Sequence, residues 1–245
     1  MDAKLNHQGA WDTARICLDR LLDLFFPRCC AGCDDPLVDG EHLLCVACWY
    51  RLPETNFHKD LTNEAWRLMG GQIPLDSVSC YLFFEEKSLV ERIVHHFKYL
   101  GMPELGHMLG ARYGHILKAC AHPVTQADVL IPIPMQRNKY KKRGYNQSTQ
   151  FALGLAEQFD MRIQDDLLVK KGGSHTQVGK GRLDRFENLT GKVLPALNKP
   201  SLQDQHAVLV DDVLTTGATI VSAAEALLEL GVKKISVITL ARKKN

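Results

Sequence analysis

The stretch "VLVDDVLTTGAT", Val208 to Thr219, limits the fold more than any other part of this chain. Ala207–Val210 is apolar without polar alternation, as in strands of parallel sheets covered on both faces. Asp211 and Asp212 follow directly. Adjacent like charges repel, and burial disfavours both, so a strand ends in such a pair only where it accepts hydrogen bonds from a diol or faces a metal. The next residues, Leu214, Thr215, Thr216, Gly217, Ala218 and Thr219, open a helix predicted over Ala218–Leu230, with Ile220, Val221, Ala224, Leu227 and Leu228 on one face. Backbone N–H groups and threonine hydroxyls at a helix N-terminus make an anion cradle. Gly217 permits close backbone approach. Carboxylates for ribose hydroxyls beside a cradle for a 5′-phosphate describe a phosphoribosyl site, and make Asp211 and Asp212 the catalytic candidates. A P-loop nucleotide site is not supported, because no segment matches G-x-x-x-x-G-K-[ST].

The surrounding pattern alternates strands and helices. Strands are predicted at Val78–Phe84, Val129–Ile133, Ala207–Val210 and Ile235–Leu240. Helices are predicted at Leu89–Tyr99, Glu104–Cys120, Gln147–Gln158 and Ala218–Leu230, the last capped by Gly231. Strands separated by helices imply an α/β domain with a parallel sheet, here over residues 76–245. Residues 53–75, with Pro53 and Gly70-Gly71, read as an irregular linking segment. Lys170–Arg185 reads as a loop. Residues 1–27 carry an amphipathic helix over 10–26, a packing helix whose polar face holds both signs.

Four of the eight cysteines are paired: Cys30-x2-Cys33 and Cys45-x2-Cys48. Each tight turn brings two thiolates to one ion, and two turns complete a tetrahedral structural site. A segment as short as 28–52 has little core, so ligation supplies its folding energy. Structural zinc is the expected metal; four cysteines also permit an iron–sulfur cluster. Cys29 adjoins the set and could replace Cys30. Cys17, Cys80 and Cys120 read as buried inert thiols, and His42 as a surface residue.

The segment after the Val129–Ile133 strand carries Arg137, Lys139, Lys141, Lys142 and Arg143 interleaved with Tyr140 and Tyr145. Cations that track phosphates and rings that stack bases suit single-stranded nucleic acid. Lys170, Lys171, Lys180, Arg182 and Arg185 could extend such a groove. The net charge of +2 gives no general attraction to polyanions, so any nucleic-acid affinity is local. No apolar run approaches the roughly 18 residues of a membrane span. The N-terminus does not resemble a signal peptide, and reduced thiols are expected; the reading is cytoplasmic.

"VLVDDVLTTGAT" resembles the phosphoribosyl pyrophosphate (PRPP) signature of type I phosphoribosyltransferases. That resemblance implies that Asp211 and Asp212 hold the ribose hydroxyls, that Thr215 through Thr219 hold the 5′-phosphate, and that magnesium bridges pyrophosphate and ribose oxygens. It also implies that the segment holding Arg137–Tyr145 is a loop contacting pyrophosphate. Together with "FFPRCCAGC", "LLCVACW", "HHFKYLG", "VLIPIPMQRNKYKKRGYNQS", Gln177 and the Arg182, Arg185, Asn188 run, the order of motifs resembles the ComF (GntX-like) family of competence proteins. The resemblance spans about residues 22–242. It implies a four-cysteine zinc module joined to a type I phosphoribosyltransferase-like domain, a role in natural transformation and binding of single-stranded DNA. Departures are the extra Cys29 and Asp34 where glycine is frequent. An active transferase moving ribose 5-phosphate from PRPP to an unknown acceptor is the second reading. An interaction module with a remnant PRPP site is the third. The zinc module could serve DNA, a helicase or DNA-processing partner, or the fold alone.

Overall fold

The computed structural model describes residues 27–171, 191–198 and 200–244. The helix expected within 10–26 lies outside them, as do Cys17, Gln177, Lys180, Arg182, Arg185 and Asn188. The chain divides into two units, Met1–Leu52 and Pro53–Asn245.

In the first unit, the described residues form two tight turns and one short helix, α1 (Val46–Tyr50). Bridges pair Cys29 with Pro36 and His42 with Leu44. The buried apolar residues are few: Cys30, Ala31, Leu44, Cys48 and Leu52. Asp34 has φ of 65°, the left-handed region that glycine enters freely and aspartate tolerates; this accounts for the glycine frequent there in the family that the sequence resembles.

The second unit is built on a five-stranded sheet in the order β1-β7-β6-β2-β3, with every pairing parallel. The strands are β1 (Ser77–Phe84), β2 (Val129–Pro132), β3 (Arg162–Ile163), β6 (His206–Leu214) and β7 (Lys234–Lys243). Alternate residues face opposite sides, as strand geometry requires. Val78, Cys80, Val129, Ile131, Leu209 and Val237 meet α2 (Glu64–Met69) and α7 (Ala218–Glu229). The opposite side is covered by α6 (Gln147–Phe159), which packs on β2 and β6 and in turn on α4 (Pro103–Ala119). A Cβ added to Gly154 would lie 2.0 Å from the carbonyl oxygen of His107, so the backbones of α4 and α6 touch there. Helix α3 (Leu89–Tyr99) follows β1, its apolar side (Val90, Ile93, Val94, Phe97) buried and Ser88 capping its first turn.

Four sequence readings change. Residues 53–75 are not irregular: they carry a 3-10 turn, Phe57–Lys59, and α2, whose Ala65 and Met69 are fully buried. The segment after β2 is not a loop. Gln136 and Gly144 (φ 82°) bound a helix, α5 (Arg137–Arg143), favoured by lysine and arginine and by cations in its last turn. Lys170 is not in a loop but in β4 (Leu168–Lys170), which pairs antiparallel with β5 (Val193–Pro195). Cys120 is exposed, whereas Cys80 is buried.

Candidate functional site

Strand β6 runs four residues beyond the apolar stretch Ala207–Val210. The cause is its neighbour: β7 pairs with it through Asp211↔Thr239, Val213↔Ala241 and Leu214↔Arg242. On the other side β2 stops at Pro132↔Val210, and the last bond is Ile133 N–H to the Val210 carbonyl. From β2 the chain proceeds outward to β3; from β6 it proceeds the other way to β7. The acidic pair therefore stands at the topological switch point, beyond the C-terminal end of β2, where open α/β sheets place their ligands.

Asp211 Oδ1 accepts hydrogen bonds from the Ser148 hydroxyl at 3.0 Å and from the Asp212 N–H at 2.9 Å. Burial, then the charge of Asp212, pushes the Asp211 carboxyl up to about 7, against the pull of those bonds and of Lys98. Asp212 pairs with Lys98 Nζ at 2.5 Å. Lys98 lies near the end of α3, in the quoted "HHFKYLG" stretch, and composition alone gave it no role. In front of the pair is a cleft of about 380 Å³, rimmed by Lys98, Lys139, Arg143, Lys170 and Thr219. Gln147 also lines it. This side chain is 2% exposed; its Oε1 accepts from Arg143 at 2.8 Å, and its Nε2 has no partner among the described residues. A buried amide donor without an acceptor costs about 1–3 kcal/mol, so the cleft is suited to an anionic or hydroxylated ligand.

The turn after β6 brings Thr215, Thr216, Gly217, Ala218 and Thr219 around a small hollow of about 40 Å³ shared with Asp211 and Leu214. Gly217 has φ of 82° and precedes α7. A Cβ there would come within 2.8 Å of Met69 Sδ, so both conformation and space call for glycine. Lys170 Nζ reaches Thr219 Oγ1 at 3.5 Å. One side of the switch point thus combines carboxylates, a helix-start cradle and four cations.

Helical spacing in α5 sorts the basic segment. Lys139 and Arg143, four residues apart, face the acidic cleft. Arg137, Tyr140 and Lys141 line a second cleft of about 520 Å³, together with Tyr145, Asn146 and Asp165. Lys142 lines neither cleft. Arg143 also stacks over the Tyr99 ring, 5.0 Å from its centroid. Read from sequence, these cations form one groove; in the fold they divide, because a helix separates residues i and i+4 from i+1 and i+2.

In the first unit, Cys30, Cys33, Cys45 and Cys48 place all four Sγ atoms within 4.8 Å of one another. Cys33 and Cys45 Sγ are 3.7 Å apart, close to the about 3.8 Å edge of a tetrahedron with 2.3 Å zinc–sulfur bonds. Cys30 Sγ accepts N–H groups of Gly32 at 3.3 Å and Cys45 at 3.2 Å. Burial raises the Cys30 thiol, but these bonds and that of Cys33 outweigh it and bring it down to about 7. Such a donor set fits a zinc ion of the structural kind. Cys29 is exposed, its Sγ directed to the Pro27 carbonyl at 3.4 Å, so Cys30 and not Cys29 joins the four-thiol cluster. His42 is exposed.

Residues 146–245 match the family model for the phosphoribosyl transferase domain. Together with the parallel sheet and the acidic pair at its switch point, this makes the second unit a phosphoribosyltransferase-like domain. The chain is 31% identical over 121 residues to Competence protein F of Haemophilus influenzae, covering 49% of this chain and 53% of that protein. It is 30% identical over 115 residues to the DNA utilization protein YhgH of Escherichia coli O6:H1, covering 47% and 49%. It is 32% identical over 115 residues to Competence protein ComFC of Bacillus subtilis, covering 46% and 44%. The chain spans about half the length of the curated relatives it matches. In sequence it is similar to these competence and DNA utilization proteins over about half of its length. Among the described residues no helix is long and apolar enough to cross a membrane.

Proposed function

We propose that this chain is a competence protein that binds single-stranded DNA in the cytoplasm and carries a PRPP-type ligand site. The observation that carries this reading is the division of cations by α5 between two clefts, one of them facing Asp211 and Asp212. The relatives' names, which refer to competence and DNA utilization, support the biological setting.

At the acidic cleft, Asp211 and Asp212 would accept the ribose hydroxyls, and Thr215–Thr219 would receive the 5′-phosphate on backbone N–H groups. Lys139, Arg143 and the free Gln147 amide would face the pyrophosphate. Magnesium entering with PRPP would spread positive charge over the pyrophosphate, and carboxylate oxygens suit it. At the second cleft, Arg137, Lys141 and the two tyrosines would bind the strand. The zinc module would serve DNA, a helicase or DNA-processing partner, or the fold.

Two titrations test the reading. Calorimetry with PRPP and magnesium should show binding that is lost when both Asp211→Asn and Asp212→Asn are introduced; retained binding removes the sugar contact. Labelled oligonucleotides should bind with an affinity that falls steeply with salt and that weakens on charge reversal at Lys141, Lys142 and Arg143; unchanged affinity counts against DNA binding. An active transferase is the second reading, favoured by the cations opposite the acidic pair. They would stabilise departing pyrophosphate as an acceptor nucleophile attacks the anomeric carbon. Release of pyrophosphate from PRPP, dependent on an added acceptor, distinguishes it. A remnant site is disfavoured by the intact acidic pair, cradle and cleft.

A further inference from the structure

We infer that the second cleft, on the flank of α5 turned away from the acidic pair, is a base pocket: it takes one nucleotide of a single strand and prefers bases that carry an exocyclic amino group. This rests on the proposed single-strand binding and narrows it to a place and a base class.

The cleft measures about 520 Å³, within the range of about 300–1,000 Å³ typical of small-molecule sites. Arg137 and Lys141 stand one helical turn apart on its α5 wall and can bracket a phosphate. Two aromatic rings line the cleft. Tyr140 is 51% exposed. Tyr145 lines the cleft with its hydroxyl donated to the Phe97 carbonyl, which fixes the ring in place. Fixed aromatic faces stack bases without ordering a flexible side chain.

The polar groups set the preference. Asn146 donates one side-chain amide N–H to the Ile133 carbonyl at 3.0 Å, which leaves its Oδ1 as an acceptor beside one further N–H. Asp165, the one carboxylate among the described lining residues, offers acceptors and no donor when ionised and then repels phosphate. Asp165 and the Asn146 Oδ1 therefore supply acceptors for a base edge among the residues that line the cleft. Cytosine, adenine and guanine present an exocyclic amino donor; thymine presents a carbonyl and a methyl group there and keeps its ring N–H as its single donor. Asn146 and Pro134 line both clefts, so a strand held here lies one wall away from the phosphoribosyl site.

The test is fluorescence anisotropy of the full chain with labelled oligo-dC and oligo-dT of equal length, at fixed salt. Oligo-dC should bind about fivefold or more tightly than oligo-dT. Asp165→Ala should bring the dC/dT ratio towards one, a readout that loss of general affinity does not move. Tyr140→Ala, on an exposed helical position, should weaken oligo-dC about fivefold or more. If both oligonucleotides bind equally, or the ratio survives Asp165→Ala, the base pocket is overturned while single-strand binding stands. If neither oligonucleotide binds, the DNA reading itself falls and takes the pocket with it.

Discussion

Asp211 is held where a carboxylate is uncomfortable: enclosed, beside Asp212, with a folded-state value near 7 against 3.8 for an open carboxyl. Between those values the folded protein keeps a proton that the unfolded chain releases. The contribution of this group to stability is therefore greatest below about pH 4 and declines as pH rises through 7. Asp211→Asn keeps the acceptor for Ser148 and for the Asp212 N–H but removes the ionisation. Its melting temperature should match the parent near pH 3 and exceed it by several degrees or more at pH 8.5, a gain on the order of 4 kcal/mol. A constant difference across that range, measured by thermal unfolding, would show that the carboxyl is not displaced. At this scale the sequence was partly legible. The acidic pair and Gly217 could be read from one short stretch. Lys98, Ser148 and Gln147 could not, because each reaches the cleft from a helix distant in sequence from the acidic pair, and nothing local distinguishes them from surface or core residues.

Helix α5 is the element on which the proposed functions divide. Seven residues bounded by Gln136 and Gly144 turn one basic run into two sets of side chains. Replacing Arg137 and Lys141 by alanine should lower the slope of log affinity against log salt for single strands by about 1.4, two phosphate contacts at about 0.7 each, with PRPP binding little changed. Replacing Lys139 and Arg143 should weaken magnesium-PRPP about tenfold or more, the loss expected for charge-assisted contacts, with a smaller effect on DNA. Equal effects of the two pairs in calorimetry and anisotropy would mean that the helix does not divide the two ligands. The run of cations was visible in the sequence. The helix was missed because a charged segment between Pro134 and Gly144 lacks the apolar stripe by which helices are read; none of its residues is buried.

Over the whole molecule, the two units are stabilised in different ways. The second has a continuous apolar core. Among the described residues of the first, few apolar side chains are buried, and a metal bound between its four converging thiols would hold the turns together. A strong chelator should release about one zinc per chain, expose four reactive thiols, and abolish ordered structure in residues 28–52. The main unfolding transition, belonging to residues 53–245, should shift little. Thiol titration alongside calorimetry checks both parts; a collapse of the main transition would show that the metal supports more than its own unit.

By itself the sequence determined the parallel α/β class, the strand–turn–helix of the acidic pair, and the two paired-cysteine turns of the first unit. Each is encoded within a few consecutive residues, by an apolar run without alternation, by a glycine that must adopt a positive φ, or by fixed spacing between thiols. Tertiary structure decided the rest. β6 extends to Leu214 because β7 continues beside it while β2 ends at Pro132. That mismatch in strand length opens the cleft, sets Lys98 against Asp212, and leaves α5 as a wall with a ligand-sized space on either flank. Strand partners and helix flanks are relations between distant segments, and no local pattern records them.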